Sequence, residues 1–370
     1  MRFPEFSDSY HESTLGEIFE YERPDNYIVS SEKYSDSFPI PVLTANQAFV
    51  LGYTNETTGI YDKGPVILFD DFTCDMKYAD FPFKVKSSAM KLLTPKEGIP
   101  IFYAYNLLQH INYKPEGHAR HWISIMQPIK VSLPCHIEQK RISEFLSLVC
   151  KRIEKHQMLI AALKKYKRGA INNIFNGYTF DKSVKECLLS DVASFHQGLT
   201  YSPEDVSDTG YLVLRSSNIQ NGRLSFKDNV YVKKSISESL FVQKNDVLMC
   251  VRNGSKQLVG KTAIVNRPYP NMTWGAFMMI IRSALKNTFV YHYLNSDYFF
   301  NQVFKDSGTA TINQITKGTL NECRLFLPNP EQQERICQYL DLLDGKLQKE
   351  EDYLESLKAL KQSLLQHLFI

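Results

Sequence analysis

The feature that most constrains this chain of 370 residues is an internal repeat. Residues 133–175 align with residues 327–369 without a gap, at a constant offset of 194 positions, and twelve of the aligned pairs are identical. Identical pairs include Pro134/Pro328, Gln139/Gln333, Arg141/Arg335, Ile142/Ile336, Leu146/Leu340, Lys164/Lys358 and Phe175/Phe369. The chain is therefore predicted to contain two copies of one unit, each a globular part followed by a long segment.

Both repeated segments have the apolar spacing of a coiled coil. Their apolar residues recur at alternating steps of four and three, which is the pattern of a helix that packs along one stripe. The predicted seam is formed by Ile142, Leu146, Val149, Ile153, Ile160 and Leu163 in the first copy, and by Ile336, Leu340, Leu343, Leu347, Leu354 and Leu357 in the second. A helix of about 38 residues would be about 57 Å long at 1.5 Å per residue.

The two predicted helices carry opposite net charge. Residues 138–185 hold 11 Lys and Arg against 4 Asp and Glu, whereas residues 331–370 hold 5 against 8. Because opposite charges attract, each helix is the natural partner of the other. We expect an antiparallel pair, which would give the molecule a pseudo-twofold axis.

Short runs of β-forming residues fill the two globular parts and alternate with Asn-Gly and similar turn signals. Examples are the runs 65–69, 211–214, 246–251 and 261–265, whereas residues 291–303 are predicted to be helical. The predicted fold class is α+β, with two globular mixed α/β domains separated by two long antiparallel coiled-coil helices in an internal repeat. The predicted boundaries are 1–133 and 187–327 for the domains, 134–176 and 328–370 for the helices, and 177–186 for the linker.

Composition favours a cytoplasmic protein. No apolar run approaches the roughly 18 residues that a membrane span requires, and the first residues lack the apolar core of a signal peptide. Seven cysteines are scattered without a CxxC pair, which indicates reduced thiols rather than a disulfide framework.

The motifs at the ends of the helices identify a resemblance. Each copy begins with Leu-Pro, at Leu133-Pro134 and Leu327-Pro328. A Glu-Gln segment ending in Arg-Ile follows, at 138–142 and 331–336, and the copies end in Leu-Lys and then an apolar residue before Phe, at 163–175 and 357–369. This duplicated order resembles the specificity subunits of type I restriction-modification systems, and the likeness covers nearly the full chain.

The resemblance implies a targeting subunit that catalyses nothing itself. Each globular part would be a target-recognition domain for double-stranded DNA, and the helices would be spacers that also dock two methyltransferase (M) subunits. A restriction and motor (R) subunit can join such a complex. In that family S-adenosylmethionine belongs to the methyltransferase, and ATP and Mg²⁺ belong to the nuclease, so this chain is expected to bind no cofactor. Two different recognition domains imply a bipartite, asymmetric target.

Candidate DNA contacts are loop residues whose side chains present the donors and acceptors that bases and phosphates require. In the second domain all but Lys261 lie in the segments 215–218, 252–256 and 309–314, of which the first and the third also resemble the family. In the first domain, which departs more from the family, they are scattered. The candidates are Lys63, Thr73, Lys77, Arg120, His121, Arg215, Ser216, Asn218, Arg252, Asn253, Ser255, Lys256, Lys261, Thr309, Thr311 and Asn313.

Two alternatives remain open from the sequence. Residues 254–262 resemble a phosphate-binding loop of a nucleotide-binding enzyme, but hold one residue too many between the glycines and precede a β-type run instead of a helix. A coiled-coil scaffold without DNA binding would explain the helices but not the domains. His110, His118 and His121 lack convincing zinc spacing, so no metal site is predicted.

Overall fold

The computed structural model describes residues 2–45, 48–115, 117, 119–176, 184–267, 269–305 and 314–369. The chain divides into two compact units, of which the first comprises Met1–Gln157 with Asp352–Ile370 and the second comprises Met158–Glu351. Each unit therefore contains one globular part, here called a head, together with one end of each of two long helices.

The first head begins and ends with one two-stranded sheet, β1-β9. Between these strands lie a four-stranded antiparallel sheet of order β2-β8-β5-β6 and a three-stranded sheet of order β4-β3-β7. The elements are β1 His11–Thr14, α1 Leu15–Ile18, β2 Phe19–Glu22, β3 Ile40–Leu43, β4 Val50–Thr54, β5 Val66–Asp70, β6 Met76–Ala79, β7 Lys84–Val85, β8 Met90–Pro95, α2 Ile101–Ile111 and β9 Lys130–Leu133.

The second head repeats this topology. Its two-stranded sheet is β10-β21, and its four-stranded antiparallel sheet has the order β11-β20-β17-β18. Its elements are β10 Lys185–Leu188, α4 Leu189–Val192, β11 Ala193–Gln197, β12 Val206–Ser207, β13 Tyr211–Leu214, β14 Ile219–Gln220, β15 Arg223–Leu224, β16 Tyr231–Val232, β17 Val247–Cys250, β18 Thr262–Ile264, β19 Met272–Trp274, β20 Met278–Ser283, α5 Phe289–Tyr293, α6 Asp297–Val303, α7 Lys317–Glu322 and β21 Arg324–Leu327.

A further sheet of each head also corresponds, whereas the two-stranded sheet β14-β15 is an addition of the second head. In the first head β3 pairs antiparallel with β4 and parallel with β7. In the second head β13 pairs antiparallel with β16 and parallel with β19. The duplication therefore includes the heads, whose sequences show it much less clearly than the helices do.

Both long helices begin with the same local structure. Helix α3 spans His136–Phe175 and helix α8 spans Pro330–Leu368. The Gln139 side-chain amide donates to the Pro134 carbonyl at 2.9 Å, and Gln333 donates to the Pro328 carbonyl at 2.7 Å. Leu133 and Leu327 are the last residues of strands β9 and β21, and each helix starts two residues later than the sequence predicts.

In the first unit the two helices run antiparallel. Ile142 and Leu146 near the start of α3 share a core with Leu365 and Leu368 near the end of α8. Farther along α3, the Arg152 guanidinium lies over the ring of Tyr353, 5.5 Å from its centroid. Later residues of α3 thus meet earlier residues of α8.

In the second unit the remaining halves of the helices are antiparallel as well. Phe175 at the end of α3 shares a core with Leu340 near the start of α8, and Lys164 forms an ion pair of 2.7 Å with Glu351. Lys167 also pairs with Asp344, so the opposite charges of the helices meet as expected. All twelve predicted seam residues are buried or half-buried.

The structure refines one prediction of secondary structure and decides one alternative. Residues 291–303 are largely helical, as predicted, but they belong to two helices, because the Ser296 hydroxyl accepts from the Phe299 amide at 3.1 Å and starts a new helix, α6. The segment that resembles a phosphate-binding loop leads into strand β18. The helix whose N-terminus would hold the phosphates is not formed there.

Two further expectations concern the whole chain. All seven cysteines are free thiols, as their spacing predicts. Among the described residues, no helix is both long enough and apolar enough to cross a lipid bilayer.

Candidate nucleic-acid interface

Two predicted segments of the second head meet at one surface, beside Gln314 of the third. The Asn253 side-chain amide donates to the Ser216 hydroxyl at 3.2 Å, which joins the loop after β17 to the loop after β13. Arg252 forms an isolated β-bridge with Gln314. Of the third segment only Gln314 is described, and Thr309, Thr311 and Asn313 lie outside the described residues.

These loops line a groove of about 740 Å³ in the second head. Arg215 and Arg252 contribute to its walls, together with Phe277, which is 60% exposed. The Arg252 guanidinium lies 5.8 Å from the centroid of the Phe277 ring. The groove therefore offers cationic groups that suit phosphates or guanine, and an exposed apolar ring that suits a sugar or a base.

One predicted contact in this head is a positioning residue. Asn218 is completely buried, and its side-chain oxygen accepts from the Arg215 amide at 2.9 Å. Its side-chain NH₂ donates to the carbonyls of Ser225 and Asp228. Because every polar atom of this side chain is used inside the loop, the prediction that Asn218 contacts DNA directly is corrected.

Arg215 and Lys261 are held by the surrounding loops. Arg215 forms an ion pair of 2.9 Å with the exposed Asp228, so its guanidinium has a fixed direction at the wall of the groove. Lys261 is half-buried and its ammonium donates to the Ile219 carbonyl at 3.3 Å. Ser255 and Lys256 are exposed.

In the first head the predicted residues Thr73 and Arg120 lie on loops that meet. The Arg120 guanidinium lies 5.9 Å from the centroid of the Phe72 ring, next to Thr73. His121 is 1% exposed, and its backbone amide donates to the Asp71 carbonyl at 2.9 Å. His121 therefore joins the two loops from the inside, and its prediction as a DNA contact is corrected in the same way as that of Asn218.

Neither Lys63 nor Lys77 lies on the loops that form this surface. Lys63 precedes β5 whereas Thr73 follows it, so the two residues lie at opposite ends of one strand. The Lys63 ammonium forms an ion pair of 2.9 Å with Glu22. Lys77 is a half-buried residue of β6.

Equivalent hydrogen bonds show that the two surfaces occupy the same place in the fold. In the first head the His121 backbone amide donates to the Asp71 carbonyl, and the Asp71 amide donates to the Ala89 carbonyl at 3.0 Å. In the second head the Ile315 amide donates to the Val251 carbonyl at 2.7 Å, and the Val251 amide donates to the Phe277 carbonyl at 3.0 Å. Phe72 thus takes the position of Arg252, and Arg120 takes the position of Gln314.

Phe277 is the residue of this surface that sequence reasoning missed. It stands in the run 272–281, which is apolar almost throughout and resembles one buried strand. The only signal is Gly275-Ala276, which separates β19 from β20 and allows the ring to project from a loop.

One cluster among the described residues has the donor atoms of a metal site, formed by His292, Asp341 and Asp344 in the second unit. His292 Nε2 lies 2.8 Å from the Asp341 carboxylate, and the Lys167 ammonium pairs with Asp344. The Lys167 ammonium therefore already balances one of the two carboxylates. His118 lies outside the described residues.

Comparison with known proteins supports the assignment that these features suggest. The chain is 29% identical over 355 residues to the specificity subunit of the type I restriction enzyme EcoR124I/EcoR124II from Escherichia coli, covering 89% of this chain and 85% of that protein. It is 22% identical over 315 residues to the MjaVIII specificity subunit from Methanocaldococcus jannaschii, covering 79% of this chain and 69% of that protein.

A solved structure shares the fold. The type I restriction-modification S subunit from M. genitalium superimposes with a TM-score of 0.64 at 17% identity, covering 100% of this chain and 99% of that chain. The family model of the type I restriction modification DNA specificity domain matches this sequence twice, over residues 8–165 and 182–359. With its duplicated heads, its paired helices and these matches, the chain belongs to the family of type I restriction-modification specificity subunits.

Proposed function

We propose that this chain reads a bipartite, asymmetric DNA target and directs adenine methylation and restriction by partner subunits, without catalysing either reaction. The observation that carries this proposal is that two heads of one topology present different side chains at equivalent loop positions. Equivalent loops suit equivalent tasks, and different side chains suit different half-sites.

Within each head, the loops supply groups of the kinds that contact DNA. In the second head Arg215, Arg252 and Asn253 offer donors to phosphates and to the edges of guanine or adenine. Ser216, Ser255 and Lys256 add smaller or more mobile contacts. In the first head Thr73 and Arg120 take the equivalent place. Most of these contacts are expected to reach phosphate, because phosphate contacts outnumber base contacts.

The helices carry a duplicated set of exposed apolar side chains that suits two copies of one partner. Leu148 is 66% exposed and its equivalent Leu342 is 73% exposed. Three more pairs at the same offset are exposed in both copies, namely Phe145/Tyr339, Leu159/Tyr353 and Tyr166/Leu360. Exposed apolar side chains that repeat in this way mark interaction surfaces, and we assign them to two methyltransferase subunits that carry S-adenosylmethionine.

Methylome sequencing tests the reading of the target. A host that expresses this chain with the methyltransferase encoded beside it should acquire one modified motif with two defined parts. Replacing residues 187–327 with the second head of another family member should change one part only. The proposal fails if the replacement changes both parts, or if no bipartite motif appears with either chain.

Native mass spectrometry tests the partner assignment. The wild-type chain should carry two methyltransferase subunits. Leu342→Asp should remove one of them and Leu148→Asp with Leu342→Asp should remove both, because a carboxylate in an apolar interface loses its hydration. Lys346→Asp, an exposed change on the same helix, is the matched control and should keep both. Unchanged stoichiometry in the double variant would contradict the assignment.

A further inference from the structure

The two heads present equivalent strand-to-strand loops of opposite charge. Residues 71–75 connect β5 with β6 in the first head and contain two aspartates but no lysine or arginine. Residues 251–261 connect β17 with β18 in the second head and contain Arg252, Lys256 and Lys261 but no acidic residue. The hydrogen bonds of Asp71 and Val251 place these loops at the same position in the fold.

In the second head the cations of this loop are accessible. Arg252 and Lys256 are exposed, and the ring of Phe277 supports the Arg252 guanidinium at the groove. A guanidinium that is already held in one direction loses less conformational entropy when it binds an anion. This arrangement suits a phosphate of the DNA backbone.

In the first head one of the two acidic groups is buried and neutralised, and the other is at the surface. Asp71 is 3% exposed and its carboxylate accepts from the Trp122 amide at 2.8 Å, which fixes its position. Lys91 neutralises it from the interior, with its ammonium 3.5 Å from the carboxylate. Asp75 is exposed and carries its charge at the surface.

Two exposed cations lie near the same loop of the first head. Arg120 packs over Phe72, and Lys114 lines the same cavity of about 680 Å³ as Thr73 and Asp75. Asp75 offsets part of their charge. Over larger ranges the contrast persists, because residues 1–137 hold 12 Lys and Arg against 17 Asp and Glu, whereas residues 186–330 hold 15 against 11.

Positive charge that contacts phosphates contributes more to the affinity for DNA than to the preference for one DNA sequence. Each cation that neutralises a phosphate releases counterions, and this release supplies a large share of the binding free energy. Contacts to base edges supply discrimination instead. We infer that the second head anchors the complex on DNA electrostatically, whereas the first head discriminates its half-site with few phosphate contacts of its own. The inference rests on the proposed function of both heads.

The salt dependence of DNA binding tests this inference. The full chain in complex with its methyltransferase subunits is titrated with a duplex that carries the motif found by methylome sequencing, between about 50 and about 200 mM salt. Arg252→Ala with Lys256→Ala should lower the slope of log Kd against log salt by about 1.8, which is about 0.9 for each lost phosphate contact. The matched pair Lys114→Ala with Arg120→Ala should lower it by less than about 0.9.

The possible outcomes distinguish a failure of this inference from a failure of the proposed function. All four side chains are exposed, and thermal melting of each variant verifies that the heads remain folded. An equal or larger effect of the first-head pair, or no effect of the second-head pair, would overturn the inference while leaving two DNA-reading heads. A wild-type complex that does not prefer the motif over scrambled DNA would instead refute the proposed function.

Discussion

At the scale of single residues, Asn218 holds the shape of a candidate DNA-binding loop from inside the protein. Its side-chain amide forms hydrogen bonds with three main-chain groups, the Arg215 amide and the carbonyls of Ser225 and Asp228, and these bonds hold the loop in one shape. The same fixed loop directs Arg215 towards the groove. A buried amide of this kind therefore acts on recognition through the positions of its neighbours.

Asn218→Ala is expected to destabilise the second unit by about 2 kcal/mol, because it leaves buried main-chain groups without partners. Chemical denaturation measures this loss, and the variant should also bind its target more weakly. Ser217→Ala on the same loop is the control. A hydroxyl that has no hydrogen-bond partner in this structure should leave the free energy of unfolding nearly unchanged.

The ionisation of Asp341 is expected to make the stability of the second unit depend on pH. Burial opposes the charge of its carboxylate, but the hydrogen bond and the charge of His292, with a further hydrogen bond from Thr288, outweigh this effect and lower its pKa below the usual range. A lowered carboxyl pKa stabilises the folded state above the unfolded pKa of about 3.9, and this stability is lost as the pH falls through the folded pKa. We expect the Asp341→Asn variant to lose less stability than the wild type when the pH falls below about 5. Denaturation midpoints measured over this pH range compare the two proteins. Parallel curves would contradict the assigned role of this pair.

At the scale of elements, each long helix has a buried stripe and an exposed stripe with separate tasks. Leu340 is completely buried in the core of the second unit, whereas Leu342, two residues later, is 73% exposed. Period and charge predict the buried stripe well, since both depend only on spacing along one helix. The same reasoning does not predict the exposed stripe. An apolar residue outside the heptad pattern gains meaning only when the equivalent residue in the other copy is also found to be exposed.

Leu340→Ala should destabilise the second unit by about 3 kcal/mol, as expected for a large-to-small change that leaves a cavity. Leu342→Ala should change the free energy of unfolding by less than about 0.5 kcal/mol, because it removes little buried surface. Denaturant unfolding of the two variants compares them directly. Equal losses would mean that Leu342 packs against the chain itself.

At the scale of the whole molecule, the sequence predicts two heads and two helices correctly, and with them the family. It does not locate the candidate DNA-binding surface of each head. Lys63 and Thr73 are only ten positions apart yet stand at opposite ends of β5, whereas Arg252 and Gln314 are distant in sequence and form a β-bridge. Such placements depend on strand pairing between remote segments, which local patterns do not specify.

Inserting one heptad at equivalent points of both helices is expected to lengthen the unread spacer of the target without changing either half-site. Seven residues add about 10.5 Å to a helix at 1.5 Å per residue, which corresponds to about three base pairs at 3.4 Å each. Methylome sequencing of the variant gives the result. Altered bases within a half-site, with the spacer unchanged, would show that the helices do not set this length.

The docking of Phe369 has a consequence for synthesis on the ribosome. The ring centroids of Phe369 and Tyr103 lie 5.2 Å apart, inside the core of the first head. Translation proceeds from the N-terminus, so the interior of the first head is complete only after residues 364–369 have been synthesised. Prematurely terminated products would therefore lack a finished first domain, however much of its own sequence they contain.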